Sequence, residues 1–199
     1  MNNSLGFFTM GQYFLNLAIA TTENLIQSGN TRITVTTTPS SVTAYQAETR
    51  WSDHNIGVPI LFNFYHGIEL MLKGTILSQG NLPTKQHQFS ELIAQIQPDQ
   101  YTCRLLSLVC SVTSDIDQTS PLAQFFEKNG INPDKWYIAL KYPEHDQKLL
   151  SHYALKYGET RTLGFWQSIN ELSQQILAIS EEIYSNNPQS SDEMMPPES

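Results

Sequence analysis

Between Pro59 and Leu77 the chain reads PILFNFYHGIELMLKGTIL, which is apolar on almost every side of a helix. A helix of that kind has no solvent face and must be surrounded by others, so it predicts the central member of a helical bundle. Leu61, Phe64, Tyr65, Ile68, Met71, Leu72 and Ile76 supply its apolar surface. Pro59 falls in the predicted first turn, where its missing N–H costs nothing, and Gly80 follows a helix end near Ser78. Asn63, His66 and Glu69 interrupt the run, and no stretch reaches the roughly 18 uncharged residues that a membrane span needs.

The flanking segments fit the same class. Phe7, Met10, Phe14, Leu17 and Leu25 recur at helical spacing and predict a first helix from about Leu5 to Gln27, stopped by Gly29. Thr-rich residues 30–41 favour β structure and read as an extended connector or small hairpin arm. Shorter helices are predicted near 87–96 and 98–113, the second with Leu105, Leu108, Val109 and Val112 on one face. Ser120, Pro121 and Gly130 bracket another as N-cap, N1 and C′. Asn132-Pro133 opens a further element that stops at Pro143. Leu163, Trp166, Ile169, Ile176, Ile179 and Ile183 form a nearly heptad stripe over 162–185. The sum is an all-α, up-and-down four-helix bundle over residues 1–185, with short inserted helices and a possible β arm near 30–40. Residues 186–199 are acidic and Pro-rich and read as a disordered, dispensable tail.

With 199 residues the chain suits one domain. Nineteen acidic against eleven basic side chains leave a net charge of −8, and the Lys and Arg are scattered singly, which disfavours general DNA or RNA coating. A small basic pocket for a nucleotide or phosphate stays open. No signal-peptide pattern appears, and a cytoplasmic location is expected. Cys103 and Cys110 are seven residues apart on one predicted helix, roughly 10 Å by the helical rise, so they do not pair and read as small buried thiols.

The ionisable groups in the central run share one line. Asn63, His66, Glu69 and Lys73 fall at helical spacing, with Glu69 and Lys73 at i,i+4 in the favourable order. His87 follows a short loop and can fold back towards Lys73. Such groups in so apolar a helix must be satisfied by something specific, either a neighbouring helix or a ligand. His66, Glu69, Lys73 and His87 are therefore candidate ligand-binding residues of one shared pocket. His66 and Glu69 with a distant His87 make a weak metal pattern, and no metal or cofactor is assigned. Neither Cys has an evident His partner, and no GxSxG elbow or phosphate loop is present.

FNFYHGIELMLKG followed after a spacer by KQHQFSELI resembles the core signature of HEPN-domain proteins. The correspondence sets Glu69 to Lys73 on the family's Glu-Leu-apolar-apolar-Lys block and His87, Phe89 and Leu92 on the start of the next helix. Leu140 to Pro143, LKYP, is similar to an element before the final helix. The resemblance implies a four-helix bundle that commonly dimerises, among RNA-cleaving toxins, abortive-infection proteins and partners of small nucleotidyltransferases. Nuclease members carry an Arg, four to six intervening residues and a His. None of the five His here has an Arg so placed, and Arg50 with His54 comes nearest, with three between. The leading expectation is thus a non-catalytic HEPN-like homodimer that binds a nucleotide or a protein partner, such as a nucleotidyltransferase or an antitoxin, in a prokaryotic defence or stress setting. The alternatives are an RNase using Arg50 and His54, or a purely structural interaction module.

Overall fold

The computed structural model describes residues 4–32 and 41–186, with the side chain of Glu159 left aside. Helix α1 (Ser4–Gln27) is followed by α2 (Val42–Thr49), α3 (Asp53–Ser78), α4 (Phe89–Gln95) and α5 (Gln100–Cys110). Then come α6 (Pro121–Asn129), α7 (Trp136–Ala139), a hairpin of β1 (Glu144–His145) and β2 (Lys148–Leu149), and α8 (Glu159–Ser185). The chain is all-α. Its four main helices, α1, α3, α5 and α8, alternate in direction.

The contacts establish that alternation. Asn30, just past α1, meets Asp53 at the start of α3, so these two helices are antiparallel. Arg104 near the start of α5 pairs with Glu182 near the end of α8. Asn170 of α8 donates to Thr22 and to the Ile19 carbonyl of α1, and Phe8 meets Tyr184 edge to face. Ile68 and Leu72 of α3 are wholly buried, together with Leu61, Phe64 and Tyr65.

Helix α1 turns a different face inward from the one its large apolar residues predict. Phe8, Gly11, Leu15, Ala18, Thr22 and Leu25 are buried, whereas Met10 and Leu17 are about half exposed. The reason is close approach. A Cβ built on Gly67 of α3 would lie 2.6 Å from Leu15 Cγ, and one on Gly11 would lie 3.2 Å from the Gly67 carbonyl oxygen. Small residues let the two backbones come together, and that contact decides which side of α1 faces in.

Several boundaries also differ from the sequence reading. Helix α3 starts six residues before Pro59, so the proline lies inside it, on an exposed side. Helix α2 forms within a stretch expected only to lead into α3, capped by Ser41, which accepts from the Ala44 amide. Ser120, Pro121 and Gly130 (φ 61°) bracket α6 as expected. The element after Asn132 is shorter than expected, a 3-10 turn (Pro133–Lys135) running into the four residues of α7. The hairpin at 144–149 was not expected. Its central residues Asp146 and Gln147 have φ of 50° and 63°, the left-handed pair that a two-residue turn requires. Cys103 is exposed and Cys110 half-buried, because α5 directs Thr102, Leu105 and Val109 inward and the cysteines lie about a quarter-turn away. The possible β arm falls largely on 33–40, and the expected tail on 187–199, both outside the described residues. No described helix is long and apolar enough to cross a membrane.

Candidate functional site

Glu69 projects from the middle of α3 and is 2% exposed. Its Oε1 accepts from Lys73 Nζ at 2.7 Å, one turn further along the helix, and faces His87 Nδ1 at 2.8 Å. Its Oε2 faces His66 Nδ1 at 3.3 Å, one turn earlier. The structure therefore brings His66, Glu69, Lys73 and His87 together, with the carboxylate between the other three.

The two histidines are held from outside the cluster. His66 packs its ring against Phe14 of α1, edge to face at 4.4 Å, and stacks on Phe62. His87 is fixed through its backbone, because the buried indole of Trp136 donates to the His87 carbonyl. Trp136 itself stacks on Tyr65 and Phe89. Sequence reasoning brought His87 close through loop length alone and missed Trp136, whose place depends on a segment far along the chain.

The electrostatics follow from the geometry. Burial alone would raise the Glu69 pKa, but hydrogen bonds from His66 and Lys73 and the charges of Lys73 and His87 outweigh it and hold the group down at about 2. An ionised carboxylate only accepts, so with neutral rings both His carry their proton on Nδ1 and leave Nε2 as the lone-pair nitrogen. Lys73 is almost fully buried and its charge is met by Glu69. An approaching phosphate would meet a lysine already compensated by the carboxylate beside it. That is a poor anion trap. Among the described residues no group of three His, Cys, Asp or Glu is arranged to hold a metal ion.

Arg50 and His54 lie elsewhere. Both form part of the wall of a cavity of about 430 Å³ between α2 and the start of α3. The helical rise puts His54 roughly 18 Å along α3 from His66, so the two sets of candidates make separate sites. Arg32, which sequence reasoning did not single out, completes the cationic side of this cavity.

A third constellation was also missed. Asp53, wholly buried in the first turn of α3, accepts through Oδ2 from Asn30 Nδ2 at 3.0 Å, the Gly158 amide at 3.1 Å and Trp166 Nε1 at 3.2 Å, and from the Thr162 hydroxyl. These donors come from the end of α1 and from the start of α8. The only local sign was a Ser-Asp pair ahead of an apolar run. Nothing in sequence spacing points to Thr162 or Trp166.

Fold and site together define an all-α bundle with a buried, carboxylate-centred ionic cluster on its central helix. No protein-family model matches the chain, and neither a curated protein nor a solved structure is detectably similar to it.

Proposed function

We propose that this protein is a non-catalytic, HEPN-like bundle that works by binding, and that its first partner is a second copy of itself docked on the outer face of α1. The observation that carries this reading is the exposure of Met10, Tyr13 and Leu17, which are 47%, 62% and 49% exposed at i, i+3 and i+7. Half-buried Phe14 continues the stripe to the His66 ring, so the face borders the Glu69 cluster. Contiguous apolar residues of this size on a helix mark a surface that is covered by something.

Charge favours a like chain as the cover. Two copies with a net charge of −8 each repel, and contact is least costly where the surface carries no charge. Helix α1 has a single charged residue in its 24, Glu23, near its far end. The final helix is less suited, because Trp166, Ile169, Ile176 and Ile179 are buried within the bundle. The resemblance of FYHGIELMLKG and KQHQFSEL to the HEPN core supports a bundle that dimerises. The Glu69 cluster, internally satisfied, is better read as the element that holds this face in shape than as a phosphate pocket.

Sedimentation equilibrium at micromolar concentration tests the reading. Wild type is expected at twice 22.6 kDa, and Tyr13→Glu with Leu17→Glu is expected at 22.6 kDa with unchanged helicity. A wild-type protein that stays monomeric would sink the homodimer.

A further inference from the structure

The cavity between α2 and the start of α3 has the make-up of an anion site. Arg32, Arg50 and His54 stand on its wall, and among the described residues that wall carries no carboxylate. In a chain with only eleven Lys and Arg against nineteen acids, two arginines beside a histidine are a local reversal of charge. Neither Arg32 nor Arg50 has an ion-pair partner among the described side chains. Asp53, the acid of the first turn, accepts through Oδ2 from Asn30, Thr162, Gly158 and Trp166 rather than from either arginine.

The two arginines are placed rather than loose. The Arg50 guanidinium lies 5.2 Å from the centre of the Trp51 ring. The stem of Arg32 runs so close over Gly158 that a Cβ there would lie 2.6 Å from Arg32 Cβ, and the Tyr45 hydroxyl donates to the Arg32 carbonyl. Guanidinium groups match phosphate oxygens in pairs.

The helix end adds a second, independent sign. Ser52 is the N-cap of the 26-residue α3, yet its hydroxyl makes no capping bond. That hydroxyl is buried on the cavity wall and has no hydrogen-bond partner. A buried hydroxyl left unpaired costs about 1–3 kcal/mol. The His54 amide, in the same first turn, is not taken up by any carbonyl among the described residues. Ser52 and His54, from the start of a long helix, line one cavity together with the two arginines.

We propose that this cavity binds a phosphate monoester group, either as free phosphate or as the terminal group of a nucleotide. The cations supply the attraction, and Ser52 and the helix end set the position of the oxygens. The proposal is independent of the dimer face on α1 and of the Glu69 cluster.

The test is calorimetric titration of the full chain with inorganic phosphate, with adenosine monophosphate and with adenosine. Both phosphate-bearing probes are expected to bind at millimolar concentration or below, and adenosine is not. Arg32→Met and Arg50→Met should each weaken phosphate binding about tenfold. Ser52→Ala should weaken it severalfold while leaving the melting temperature of the free protein unchanged or higher, a split that a merely structural serine would not give. If the arginine variants fail to fold by circular dichroism, His54→Gln, an exposed change, carries the same expectation of weaker binding. Absence of phosphate binding to wild type, equal binding by wild type and folded variants, or binding of adenosine monophosphate without binding of phosphate would each overturn the proposal.

Discussion

Helix α3 carries two buried carboxylates held in opposite ways. Asp53, at its start, is surrounded by neutral donors drawn from two distant parts of the chain, and its Oδ1 has no partner among the described residues. Glu69, in its middle, is surrounded by a lysine and two histidines, two of them on its own helix. Asp53 fastens the ends of α1, α3 and α8 to one another. Glu69 fastens one helix to the loop that follows it. A carboxylate satisfied by far-off backbone and neutral side chains is a device of tertiary assembly, whereas one satisfied at i−3 and i+4 is largely a device of the helix itself.

The difference can be broken from the Asp53 side with the largest effect. Asp53→Ala leaves the Thr162 hydroxyl, the Trp166 indole N–H, the Gly158 amide and the Asn30 amide group without their common acceptor. Losing such a buried network is expected to cost about 3–5 kcal/mol in denaturant unfolding. A loss under half a kcal/mol would show that Asp53 does not bind the helix ends together.

Glu69→Gln keeps the shape of the side chain but leaves the buried Lys73 charge uncompensated, and about 2–3 kcal/mol should be lost. Lys73→Met on the wild-type background strands the carboxylate instead. Combining the two changes should recover much of what either alone loses, since each removes the other's unpaired group. Strict additivity in the double-mutant cycle would mean that the pair is not coupled.

Acid tests the Glu69 side of the comparison. The Glu69 pKa is lowered from 4.5 to about 2 in the folded protein, so its contribution is complete above pH 4.5 and is lost as pH falls towards 2. That contribution is on the order of 3 kcal/mol. Unfolding midpoints measured across this window should fall with pH in wild type, and the Glu69→Gln variant should show a flatter profile. Equal slopes would remove Glu69 from the acid response. The smallest effect belongs to the exposed pair Arg104–Glu182, which closes at 2.7 Å across α5 and α8. Solvent screening limits it to about 0.5 kcal/mol, so Arg104→Ala should barely move the denaturation midpoint.

What could be read from the residues alone follows from how far apart the partners are in the chain. The burial of α3 was legible because its apolar surface goes all round. So was the Glu69 line, because i,i+3 and i,i+4 neighbours meet in any helix. The caps of α6 were legible because Ser120, Pro121 and Gly130 act within a turn of their own positions. Only tertiary structure decided the inward face of α1. Phe7, Met10, Phe14 and Leu17 offer more apolar surface, but a face with Gly11 and Ala18 lets the α1 backbone approach Gly67. The same holds for Asp53 and Thr162, and for the cavity that sets Arg32 beside Arg50 and His54. Short-range geometry repeats in every helix and is written in spacing, while long-range contacts depend on how closely two particular surfaces can pack, which no local pattern records.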